Sequence, residues 1–132
     1  MAVPPILIIE DDPTIAVFME WALTQEGHRV VVAPTVEAAL DAVDRESPGL
    51  ILMDMNLPAP VGGEAGLAGR VGAHLYRALR ERRVVAPMIA VTADARAAEA
   101  ALAEGITDIL LKPFDIDDLF DLVNRYTGQP NV

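Results

Sequence analysis

Five short apolar runs, each followed by a stretch of helical spacing, leave this chain few ways to fold. The runs are Ile6–Ile9, Arg29–Ala33, Leu50–Met53, Met88–Val91 and Ile109–Leu111. Apolar and polar residues hardly alternate within them, the pattern of strands covered on both faces. Turn residues bound them: Gly27 and Pro34 the second, Pro48 and Gly49 the third, Pro87 the fourth, Pro113 the fifth. Between the runs lie helix signals. Asp12 stands as a cap with Pro13 at the first helical position. Ile15, Phe18, Met19, Ala22 and Leu23 then recur at helical spacing until Gly27. Thr35 caps a second helix with Val36, Ala39, Leu40 and Val43 on one face. A third covers about residues 73–82 and buries Leu75 and Leu79. A fourth, rich in alanine, stops at Gly105. A fifth follows Asp115 and uses Ile116, Leu119, Phe120, Val123 and Tyr126.

Five βα units in sequence predict an α/β fold: a doubly wound, five-stranded parallel sheet with helices on both faces. The length of 132 residues predicts one domain spanning 1–132, with a frayed tail from Thr127. The apolar fraction of 52% argues against disorder. With no cysteine there is no disulfide framework and no thiolate metal site. Glu10, Asp11 and Asp12 stop the first apolar run after four residues, so it is neither a signal peptide nor a membrane span, and the expectation is a soluble, cytoplasmic protein. A formal charge of −10 repels nucleic-acid phosphates, so direct DNA or RNA binding is not expected.

In an open α/β sheet, ligands sit beyond the carboxyl ends of the strands. Glu10, Asp11 and Asp12 follow the first run, Asp54 the third, Thr92 the fourth and Lys112 the fifth. If the first and third strands are neighbours, Glu10, Asp11 and Asp54 converge. Close carboxylates repel one another and raise each other's pKa, which a divalent cation relieves. An oxygen-only ligand set suits Mg²⁺, which keeps waters and so leaves room for phosphate oxygens. Lys112 adds a mobile positive charge opposite the metal, and Thr92 a hydroxyl donor. A carboxylate can accept a phosphoryl group covalently, so the set points to phosphoryl transfer onto Asp54.

The pieces Ile8-Ile9-Glu10-Asp11-Asp12, Leu52-Met53-Asp54-Met55-Asn56-Leu57-Pro58, Val91-Thr92-Ala93 and Leu111-Lys112-Pro113-Phe114 together resemble the receiver domain of two-component response regulators, of the chemotaxis-regulator type. The resemblance covers essentially the whole chain. It implies the flavodoxin-like strand order 2-1-3-4-5. It implies Asp54 as the phosphorylation site, Asp11 as a direct Mg²⁺ ligand, Glu10 acting through water and Asn56 offering its backbone carbonyl. Thr92 and Lys112 would bind phosphoryl oxygens, and the Lys112–Pro113 bond would be cis. Asn56 and Asp94 match positions that tune phosphate lifetime, although Asp94 also reads as a helix cap. Thr92 and Ile109 match the switch positions.

The implied function is a stand-alone receiver. It would take its phosphoryl group from a histidine kinase or phosphotransfer protein and act on a downstream protein, with the oligomeric state open. It would be no enzyme beyond its own phosphorylation and dephosphorylation. The alternative is a receiver-like docking module that is never phosphorylated. A Mg²⁺ phosphohydrolase is disfavoured, because Asn56 stands where such enzymes carry a second acid.

Three departures stand out. Ile109 replaces the aromatic switch residue. The fourth segment is slightly short, pointing to a brief or mobile helix. The spacing from Asp54 to Thr92 is 38 residues, longer than is common, and the excess falls in a stretch with Gly62, Gly63, Gly66 and Gly69. That stretch reads as a tolerated surface insertion over 62–69, with a lid or docking loop as the functional alternative. Trp21, an i,i+4 partner of Val17, reads as packing on a neighbouring helix, with a partner or dimer contact as the alternative. His28 and His74 lack metal-ligand spacing and read as exposed.

Overall fold

The computed structural model describes residues 3–57 and 71–128. The glycine-rich expectation over 62–69 and the end of the tail lie outside these residues. Strands β1 (Ile6–Ile9), β2 (Val30–Ala33), β3 (Leu50–Asp54), β4 (Met88–Thr92) and β5 (Asp108–Leu111) alternate with helices α1 (Pro13–Gln25), α2 (Val36–Glu46), α3 (Val71–Glu81), α4 (Ala95–Glu104) and α5 (Ile116–Thr127). The strands form one parallel sheet in the order 2-1-3-4-5.

Every residue of β1, β3 and β4 is buried, which is why these segments lack alternation, whereas β2 and β5 at the edges are partly open. Successive residues serve opposite faces. Leu7, Ile9, Ile51, Met53, Met88 and Ala90 pack under α2, α3 and α4. Ile6, Ile8, Leu50, Leu52, Ile89 and Val91 pack under α1 and α5.

Local chemistry sets the helix ends. Asp12 accepts the N–H groups of Thr14 and Ile15 with Pro13 behind it, Thr35 accepts that of Ala38, and Asp115 and Asp118 form a reciprocal capping box. Gly105 ends α4 at φ 106, a left-handed conformation that suits glycine. A Cβ there would also stand 2.7 Å from the Tyr76 hydroxyl oxygen.

Several expectations need correction. The third helix starts at Val71 rather than residue 73, β3 includes Asp54, and β5 starts at Asp108. Tyr76 is buried beside the expected Leu75 and Leu79. The fourth helix is the shortest of the five, at 10 residues. Trp21 does not pack on a neighbouring helix: it is 56% exposed, and Val17 is 63% exposed. His28 is half-buried rather than exposed, and burial lowers its imidazole pKa against the opposing pull of Glu26, whereas His74 is exposed as expected.

Candidate functional site

Parallel strands place all their carboxyl ends along one edge. The register β1–β3 aligns Ile9 with Met53, so the residues that follow, Glu10 and Asp54, emerge side by side. Asp54 pairs with Val91 on β4, and Thr92 with Leu111 on β5. The Lys112 N–H donates to the Thr92 carbonyl at 2.8 Å, which hangs the lysine over the same edge. The Lys112–Pro113 peptide is cis.

Glu10, Asp11 and Asp54 each present a carboxylate oxygen, and the three oxygens lie within 4.8 Å of one another. Glu10 and Asp54 are buried and Asp11 is exposed, so the cluster opens to solvent on one side. The Lys112 ammonium donates to Glu10 Oε1 at 2.9 Å and stands 3.8 Å from Asp54 Oδ1. The Asp12 N–H donates to Glu10 Oε2 at 3.2 Å, so both Glu10 oxygens are engaged. The Asn56 N–H donates to Asp54 Oδ1 at 2.9 Å. Thr92 is fully buried, and its hydroxyl oxygen accepts the Asp94 N–H at 3.1 Å, which leaves the hydroxyl proton to donate elsewhere.

Burial and the adjoining Glu10 carboxylate push the Asp54 carboxyl up to about 7, against the opposing pull of the Asn56 N–H and the Lys112 charge. Without a further cation, Asp54 therefore holds its proton well above the ordinary carboxylate range. Two buried carboxylates, one exposed carboxylate and no softer ligand fit a small hard dication such as Mg²⁺, and one lysine does not balance the three acids.

The remaining expected residues fall in different places. The Asp94 carboxylate caps α4, accepting the N–H groups of Arg96 at 2.9 Å and Ala97 at 3.4 Å, so its side chain is spent on the helix. Ile109 is half-buried against the core under α2, α3 and α4. Two features were not anticipated. One is the Glu10–Lys112 pair, which joins residues far apart in sequence and leaves no local signal. The other is an apolar pocket of about 350 Å³ beside the acids, lined by Ile15, Phe18, Ala93, Lys112, Pro113 and Phe114. The Phe18 and Phe114 rings lie 6.3 Å apart. Helical spacing placed Ile15 and Phe18 on the apolar side of α1, where both are half-buried, but their meeting with Phe114 was not readable.

Residues 6–124 match the response regulator receiver domain family. An uncharacterised 14.6 kDa protein of Leptolyngbya boryana is 39% identical over 123 residues, covering 92% of this chain and 88% of that protein. The transcriptional regulator NtrC of Klebsiella pneumoniae is 35% identical over 120 residues, covering 89% of this chain but 24% of its own length. The receiver domain of the Francisella response regulator 1452 superposes with a TM-score of 0.79 at 27% identity, covering 96% of this chain and 98% of that domain. The chain belongs to the receiver domain family of two-component response regulators, a class of signalling modules that work with histidine kinases and downstream effectors. Among the described residues no helix is long and apolar enough to cross a membrane.

Proposed function

We propose that this receiver is a phosphorylation switch in which Asp54 takes a phosphoryl group from a phosphohistidine on a kinase or phosphotransfer protein. The observation that carries this reading is the meeting of three carboxylate oxygens within 4.8 Å, with the Lys112 ammonium at their side. Glu10, Asp11, Asp54 and the Asn56 backbone carbonyl are the groups that would hold Mg²⁺. When bound, the ion supplies charge neutralisation for the acids and for the transferring phosphoryl group.

Asn56 and Lys112 both address Asp54 Oδ1, which leaves Oδ2 as the attacking atom. The Oδ2–phosphorus bond forms as the phosphorus–imidazole nitrogen bond breaks, and the departing imidazole takes a proton from solvent. Lys112 turns from Glu10 toward a phosphoryl oxygen, and the Thr92 hydroxyl donates to another. A carboxyl that keeps its proton is a poor nucleophile, so Asp54, with its raised pKa, must first release that proton to solvent before Oδ2 attacks. Asn56 at the rim sets access of the water that later hydrolyses the acyl phosphate. The lifetime role expected of the Asp94 side chain has less support, because that carboxylate is occupied at α4. The chain turns over no external substrate in this reading.

The apolar pocket lined by Ile15, Phe18 and Phe114 opens beside Asp54, where a donor must dock to bring its phosphorus into reach. In this reading the receiver acts on a separate downstream protein in the cytoplasm; the Leptolyngbya relative, 88% of which this chain covers, is itself a protein of 14.6 kDa. Incubation with Mg²⁺ and acetyl phosphate tests the switch. The expected result is one phosphoryl increment by intact mass, lost with EDTA and lost in Asp54→Asn. An increment that survives Asp54→Asn would overturn Asp54 as the acceptor, and no increment at all would leave the unphosphorylated docking module as the reading.

A further inference from the structure

We propose that the opposite edge of the sheet carries a second docking surface, which accepts an acidic protein segment bearing one aliphatic anchor. This surface is independent of the phosphorylation switch. It lies at the amino ends of β3 and β4, where α2 and α3 run out, a full strand length from Asp54.

The chain has a formal charge of −10, yet four of its ten basic residues, Arg77, Arg80, Arg82 and Arg83, crowd into seven positions. Three of them are engaged within the fold. Arg77 pairs with Glu104 at 3.0 Å and Arg82 with Asp44 at 2.6 Å. Arg80 donates to the carbonyls of Val84 at 2.6 Å and Ala86 at 3.2 Å, with its guanidinium 5.2 Å from the centre of the Tyr76 ring. Arg83 makes no ion pair among the described residues and is exposed. It also sits at φ 63, a left-handed conformation that glycine adopts at no steric cost and an arginine does not.

The Arg80 guanidinium holds Val84, Val85 and Ala86 in a fixed bend, and that bend thrusts Val85 outward. At 90% exposure Val85 is the most exposed large aliphatic residue described. Beside it opens a groove of about 430 Å³ lined by Val43, Ser47, Pro48, Ala86, Arg83 and the Arg82–Asp44 ion pair, so that Arg83 carries the charge not matched within the lining. The surface thus joins a groove of mixed apolar and polar lining, an unburied valine and a cation with no ion pair among the described residues, on a turn held by internal hydrogen bonds. A basic segment would meet Arg83 with like charge, and a purely apolar one would strip its solvent without replacement. An acidic segment with a leucine or valine satisfies both parts, because a carboxylate fits the guanidinium fork while the aliphatic side chain covers the groove. Occupation here leaves the Asp54 edge open, so such a partner stays attached in either state of the switch.

The test is amide-shift titration of the full chain with a synthetic heptapeptide of acidic residues around a central leucine. Two control peptides replace the leucine by serine, or the acids by lysines. The expected result is saturable shifts at Ser47 and Arg83 to Ala86 with the acidic leucine peptide, and at least tenfold weaker binding with the serine peptide. The lysine peptide should give no binding, and added salt should weaken the interaction. Arg83→Gly relaxes the turn while removing the charge. It should raise Tm yet weaken binding at least fivefold, so the loss is not unfolding. Acetyl phosphate labelling of Asp54 should proceed at an unchanged rate in that variant. Shifts that do not saturate, that spread to Arg96 and Arg125, or that are the same in Arg83→Gly would overturn the proposal. Self-association in solution that Arg83→Gly abolishes would also overturn it, and would assign the edge to contact between copies.

Discussion

At the scale of single residues, the site is defined by what Asp54 is made to tolerate. Its carboxyl is buried against Glu10, and its pKa rises from 3.8 to about 7. Between about pH 4 and 7 the folded protein therefore keeps a proton that the unfolded chain releases. The sign follows: stability from the neutral carboxyl is present near pH 4 and is lost as pH rises to about 7. Asp54→Asn has no such proton to lose. Without divalent cation it should be more stable than the parent chain by about 2–4 kcal/mol at pH 8, with the gain shrinking toward zero near pH 4. Urea unfolding at the two pH values measures this, and Mg²⁺ should narrow the gap. A gain that does not vary with pH would mean that the repulsion from Glu10 is not what strains the residue. The residue types at this site were legible in the sequence because Glu10, Asp11, Asp54, Thr92 and Lys112 each directly end or follow an apolar run. Their pairing was not. That Lys112 turns to Glu10, and that the Asp94 carboxylate turns to α4, depends on side-chain reach across strands, which spacing along one strand does not encode.

At the scale of elements, α1 has two apolar exposures with different meanings. Ile15 and Phe18 close against Phe114 beside the acids, whereas Val17 and Trp21 face away from the core. If the Ile15–Phe18 side receives the phosphodonor, Ile15→Asp should slow transfer from a phosphorylated donor protein about tenfold or more, the effect of a charge forced into an apolar contact. Acetyl phosphate, which needs no docking surface, should label the variant at close to the parent rate. Stopped transfer assays with both donors make the comparison, and equal slowing with both would place the defect in the chemistry. Helix ends were the most legible feature, since Asp12, Thr35, Gly105 and Asp115 cap by short-range hydrogen bonds written into adjacent residues. The start of α3 was misplaced because the glycines before it carry no cap signal. Trp21 was misassigned because a helical wheel gives its angle but not whether a neighbouring helix stands there.

At the scale of the whole molecule, the sheet is sandwiched, so neither face of a central strand is expendable. Leu7 and Ile8 are adjacent and wholly buried, yet they serve different cores. Leu7→Ala and Ile8→Ala should each destabilise by about 2–4 kcal/mol. A strand covered on one side would instead show one costly and one cheap position. Denaturant unfolding of the two variants reads this directly, and a loss under about 1 kcal/mol for either would contradict a two-layered core. The fold class was readable because burial on both faces removes alternation from the strands, a property of composition rather than of contacts.

The ion pair between Glu10 and Lys112 joins residues 102 positions apart. It has a consequence in time. During synthesis Asp54 and its neighbouring acids emerge while the strand that brings the lysine has yet to be made, and β5 can dock only on a finished β4. Until then the acids stand together without their counter-charge, and the ammonium that would meet a phosphoryl group is missing. Under the proposed switch, maturation and competence coincide: a chain that lacks β5 also lacks Lys112, and the first molecule equipped to take a phosphoryl group is one whose sheet is already complete.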